Sequence, residues 1–67
     1  MTEDPSELTP RIGKVARREL AAHGYTRYEQ LSAVRARELL GIHGVGPKAI
    51  RILTEELAAR GSGFAGD

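Results

Sequence analysis

Leu39-Leu40-Gly41-Ile42-His43-Gly44-Val45-Gly46-Pro47-Lys48-Ala49-Ile50 is the stretch that decides how this chain folds. Gly41 closes a helix anchored by Leu39 and Leu40, since a residue without Cβ ends a helix at little steric cost. Two glycines then flank one aliphatic residue, and Pro47 stands where a new helix opens, a position at which its missing N–H is no loss. Beyond it Ile50, Leu53 and Leu57 recur at helical spacing. They predict an inward face on a helix from about Pro47 to Arg60, with Lys48, Arg51, Glu55 and Arg60 left in water.

Working back toward the amino terminus, Ile12, Val15, Ala16 and Leu20 predict a first helix, with Arg11, Lys14, Arg17 and Arg18 on its other side and Gly24 as its stop. Thr26 is the expected cap of a short second helix through Leu31, with Glu29 completing a capping box. Tyr25, Tyr28 and Leu31 are its expected core contacts. Ser32 or Ala33 leads into a third helix ending near Leu40. No stretch alternates apolar and polar residues with β-branched enrichment, so strands are not expected. The predicted fold is all-α, a compact bundle of four to five short helices. Residues 10–61 form the domain, between an N-terminal tail, 1–9, and a glycine-rich C-terminal tail, 62–67, both read as flexible.

A chain of 67 residues buries only a little over half of its unfolded surface, which disfavours a wide internal active site. It has no cysteine, and His23 and His43 stand apart without a supporting cluster, so neither a thiolate nucleophile nor a zinc site is expected. No catalytic grouping emerges; the chain reads as a non-enzyme without cofactor. No apolar run reaches bilayer length and Met1 to Pro5 lacks signal-peptide features, so a cytoplasmic protein with no membrane contact is expected. The formal net charge of +1 conceals an asymmetry. Glu3, Asp4, Glu7 and Asp67 lie at the ends, whereas all ten basic residues fall between Leu8 and Gly66, where only five acids stand. That cationic body suits a polyanion.

A helix amino terminus leaves N–H groups unpaired and bears a partial positive charge, so a phosphate oxygen there gains hydrogen bonds and dipole attraction together. At Gly44 and Gly46 the chain is free to adopt positive φ and to let a phosphate approach closely, while Val45 plugs the core and Lys48 adds a cation. A plain tight connection between packed helices is the competing reading of the same glycines. A weak echo joins Pro10-Arg11-Ile12-Gly13-Lys14-Val15-Ala16 to the stretch from Ile42 to Ala49, which suits a pseudo-twofold pair of helix-opening turns. If both turns face one side, Gly13 with Lys14 and Gly44 to Gly46 with Lys48 meet two phosphate stretches, flanked by Arg11, Arg17, Arg18 and Arg51. His43 lies beside the hairpin.

The run from Leu39 to Leu53 resembles the helix-hairpin-helix motif of non-sequence-specific DNA-binding proteins. The resemblance implies that hairpin amides at Gly44 and Gly46 grip a phosphate and that Lys48 supports them, with Val45 and Ala49 counted in the same site and duplex DNA as the partner; a monomeric module is expected. Some members also hold a monovalent cation with hairpin carbonyls. From about Ile12 to Phe64 the chain is similar to the carboxy-terminal domain of the bacterial RNA polymerase α subunit, among the SAM-like helical domains. That family uses its first helix and hairpin helix on the DNA minor groove and on transcription factors. Where it presents an arginine and an asparagine early in the first helix, an ungapped alignment places Val15 and Arg18 here. The alternative is a protein-interaction module, for which an exposed Ile52 is the expected mark.

Overall fold

The computed structural model describes residues 6–66 and is all-helical, with no strand among the described residues. A 3₁₀ turn at Pro10–Ile12 leads into α1 (Lys14–Ala22); α2 (Tyr28–Leu31) and α3 (Ala36–Leu40) are short, and α4 (Pro47–Ala59) is the longest element. None is long and apolar enough to cross a membrane.

The core follows from the apolar spacing. Leu20, Leu31, Leu39, Leu53 and Leu57 are essentially inaccessible, joined by Ala16, Tyr28, Val45, Ala49 and Ile50. The 3₁₀ turn packs against both α1 and α4, and α3 against α4. Helices this short are marginal in isolation, so burial in the shared core holds them. Two of the apolar positions expected to face inward do not. Val15 is 48% exposed and Leu40 43%. α1 begins only at Lys14, after the 3₁₀ turn, so Ile12 and Val15 do not share one helix as the spacing predicts.

The amino-terminal segment differs from the expected tail. Leu8 is buried with the core and Ser6 is buried beside it. Glu7 donates its N–H to the Thr26 carbonyl at 2.8 Å, and its carboxylate accepts the Tyr28 N–H at 2.9 Å. The Tyr28 hydroxyl accepts from the Thr9 amide at 2.8 Å. Ser6 to Thr9 of the expected tail therefore belong to the packed domain; residues 1–5 of that tail lie outside the described residues. The carboxy-terminal end folds back as well: Phe64 packs against the core and the Ala65 N–H reaches the Val34 carbonyl at 2.8 Å.

The start of α2 also departs from expectation. Arg27, not Thr26, occupies the cap position, and it is the Gln30 side chain that accepts from the Thr26 and Arg27 amides at 2.8 and 2.9 Å. Glu29 instead faces outward near Arg27, 4.0 Å away. At the far end α4 stops at Ala59 with Arg60 as its cap, and Gly61 follows at φ +73°, the left-handed geometry that glycine adopts freely.

Candidate nucleic-acid interface

The hairpin between α3 and α4 is a rigid turn. The Val45 N–H donates to the Ile42 carbonyl at 3.0 Å, and the Val45 side chain is only 4% exposed. Gly44 has φ +90°, and a Cβ built on it would lie 2.7 Å from Val15 Cγ1 and 3.2 Å from Glu19 Cγ. Two constraints therefore require glycine at this point: the left-handed backbone and the close approach of α1. Gly46 behaves differently from expectation. It is extended, at φ −104° and ψ 179°, and a Cβ there would meet nothing within 4 Å. Pro47 explains the extension, because its ring disfavours helical geometry in the preceding residue.

The two long helices open alike. Gly13 caps α1 and Gly46 caps α4, and neither cap has a side-chain hydrogen bond. The Arg17 amide closes onto the Gly13 carbonyl at 3.1 Å and the Ile50 amide onto that of Gly46 at 3.2 Å. Ahead of these first helical bonds, the N–H groups of Lys14, Val15 and Ala16, and of Gly46, Lys48 and Ala49, have no backbone acceptor among the described residues. Helices more commonly cover such donors with Ser, Thr, Asp or Asn at the cap. Both starts keep them open, and the Val15 to Gly44 approach brings α1 against the hairpin.

The charges sort into two groups. Lys14 and Arg18, four residues apart on α1, and Lys48 and Arg51, three apart on α4, are exposed and have no ion pair among the described residues. Arg11 is committed elsewhere: its guanidinium lies 3.4 Å from Glu55 and 3.4 Å from Glu56. It lines a depression of about 260 Å³ with Lys48, Arg51, Ile52 and Glu55. Arg17 is also committed. Its Nε donates to the Leu8 carbonyl at 2.9 Å and its Nη2 to that of Ser6 at 2.8 Å, so it clasps the amino-terminal segment rather than offering a free cation.

Of the residues expected to meet a phosphate, Gly13, Lys14, Arg18, His43, Gly44, Lys48 and Arg51 are exposed, and Gly46 is half-buried. Val45 and Ala49 are buried in the core, so only their backbones can take part. Glu55 is exposed, as expected, and lines the depression, whereas the position of Glu19 against the hairpin escaped the sequence reading; Glu19 follows Lys14 and Arg18 on one helix and had no signal pointing to Gly44. Ile52, expected as an exposed apolar mark, is 8% exposed. The sequence reading did not anticipate that a 3₁₀ turn packs on the helix that bears it.

A second cavity, about 320 Å³, lies at the opposite end of α4 between Glu7, Tyr28, Leu57 and Arg60. Its polar groups already have partners: the Arg60 guanidinium stacks 3.9 Å above the Tyr28 ring and pairs with Glu56 at 3.0 Å. Comparison of the chain with protein-family models, curated proteins and solved structures finds no match.

Proposed function

We propose that this chain is a small non-enzymatic module that grips the phosphate backbone of duplex DNA, in the manner of a helix-hairpin-helix domain. One observation above the others supports this reading: two helix starts are capped by glycine with open N–H groups, at Gly13 and Gly46, α1 meets the hairpin through Val15 and Gly44, and Lys14, Arg18, Lys48 and Arg51 on the two helices have no ion pair among the described residues. Amides and helix dipoles favour an anion at each start, and the neighbouring cations add long-range attraction. Contacts of this kind set the position of a protein on a duplex without reading bases. Weak sequence preference follows.

The rival reading, a protein-interaction module, loses its main support because Ile52 is covered. The test is a titration of the folded chain with a fluorescent duplex at low salt, beside Lys48→Glu and Gly46→Ala. Both variants are expected to weaken binding. A folded chain that ignores DNA at low salt would overturn the proposal, and a concentration-dependent mass in sedimentation would favour the rival.

A further inference from the structure

Lys48, Arg51, Ile52 and Glu55 follow one another at spacings of three, one and three, so they share one face of α4. Arg11 joins them from the 3₁₀ turn that packs on the same helix, and these five residues line the depression of about 260 Å³. Ile52 is buried and gives it an apolar wall. The rest of the lining is three cations and one acid, which leaves two positive charges in excess. Glu55 and Glu56 engage Arg11 through Nη2 and Nη1 at 3.4 Å each, and Glu56 is shared with Arg60 at 3.0 Å. A guanidinium has five N–H donors, so these pairs leave Arg11 with others to give. Lys48 and Arg51 have no ion pair among the described residues.

We infer that this depression receives a terminal phosphate, a phosphomonoester, in preference to the bridging phosphates inside a duplex. The inference rests on the proposed grip on DNA and names the part of the polymer that fills this depression. A bridging phosphate carries one negative charge and has a sugar on each side, which keeps it on a convex backbone. A terminal phosphate carries close to two charges at neutral pH and projects three acceptor oxygens. Its charge matches the excess in the lining. Its free end enters a concavity from which a bridging phosphate is held off by its second sugar. Arg11, Lys48 and Arg51 approach from two elements, and only the monoester has an unesterified oxygen for each of the three. The Ile52 wall keeps water from one side of these contacts, which strengthens them. A free nucleotide offers the same chemistry as a strand end.

The experiment titrates the full chain with internally labelled DNA duplexes of one sequence that carry either phosphate or hydroxyl at every strand end. Arg11→Gln, Arg51→Gln and Arg18→Gln are titrated in parallel, with circular dichroism to confirm folding. Wild type should prefer the phosphorylated duplex roughly tenfold, the scale of one added charge-assisted hydrogen bond. Arg11→Gln and Arg51→Gln should bring that ratio near unity. Arg18→Gln, on α1 and outside the depression, should weaken both duplexes alike and keep the ratio. A nucleoside monophosphate, compared with its methyl diester, is the second probe, read by backbone amide shifts from Lys48 to Glu55. Larger shifts with the monophosphate are expected and would show that the depression takes the monoester without a strand. The end preference without such shifts would assign the site to strand ends alone. A wild-type ratio of one, with both duplexes bound, would overturn the inference and leave the proposed function standing. A ratio that survives both Arg11→Gln and Arg51→Gln would also overturn it, since the end would then sit elsewhere on the chain. If neither duplex binds, the proposed function falls, and the depression stands or falls with the monophosphate shifts.

Discussion

Arg17 reaches back nine residues to Leu8, its Nε donating to the Leu8 carbonyl at 2.9 Å while Nη2 holds the Ser6 carbonyl at 2.8 Å. A side chain that spacing alone assigns to the phosphate-facing side of α1 is thereby a clasp for the amino-terminal segment that carries Leu8 into the core. Replacing it should therefore cost stability more than affinity. Arg17→Ala should lower the unfolding free energy by about 1–3 kcal/mol, the scale of charge-assisted bonds to a part-buried backbone. The urea midpoint measures this. DNA affinity per folded molecule should change less than in Lys48→Glu.

Leu8 belongs to the core, at 1% exposure, although its neighbours in sequence are acidic or hydroxylated. Leu8→Ala should destabilise by about 2–5 kcal/mol, as cavity-forming leucine truncations do. In so small a domain that is a large share of the total stability. Thermal unfolding followed by circular dichroism checks it, and a tail without structure would show no change.

This segment also shows where sequence reading stops. α4 is legible because Pro47, three inward aliphatics and Gly61 mark its start, face and end locally. The hairpin is legible for the same reason, and Val45 plugs the core as its position between two glycines suggests. Leu8 and Phe64 have no periodic companions, so nothing near them in sequence announces their burial. The commitments of Arg17 to Ser6 and Leu8, and of Arg11 to Glu55 and Glu56, join residues far apart along the chain. Spacing reports which face a residue occupies, not what has folded across that face. Ile52 was misjudged in this way: its helical phase is correct, and a 3₁₀ turn packs on the helix that bears it.

The two hairpin glycines should separate folding from binding. Gly44→Ala forces a Cβ into a left-handed residue and against Val15, and should cost about 1–3 kcal/mol of stability. Gly46→Ala meets open space at a negative φ, and should stay within about 1 kcal/mol of wild type, the penalty for a poorer cap. Gly46→Ala should nevertheless weaken DNA binding, because its methyl stands before the open amides of Lys48 and Ala49. Parallel urea and fluorescence titrations distinguish the two effects.

Arg11 is held by Glu55 and Glu56 beside Lys48 and Arg51, two cations with no ion pair among the described residues. The Arg11–Glu55 pair is largely exposed, so neutralising Glu55 should alter stability by no more than about 1 kcal/mol. It should leave Arg11 held by Glu56 alone and remove a repelling charge. Glu55→Gln should therefore tighten DNA binding a few-fold at low ionic strength, with the gain shrinking as salt rises. Anisotropy titrations at two salt concentrations test this, and a weakened complex would show that the acid supports the site.

The central claim, that adjacent helix starts grip phosphates, is tested most directly by the salt dependence of duplex binding in wild type and Lys48→Gln. Each phosphate neutralised releases counterions, so the logarithm of the binding constant should fall linearly with the logarithm of salt concentration, and Lys48→Gln should reduce that slope by about one. The affinity loss should be similar across unrelated duplex sequences. Binding that is indifferent to salt, or a slope that Lys48→Gln leaves unchanged, would contradict the account.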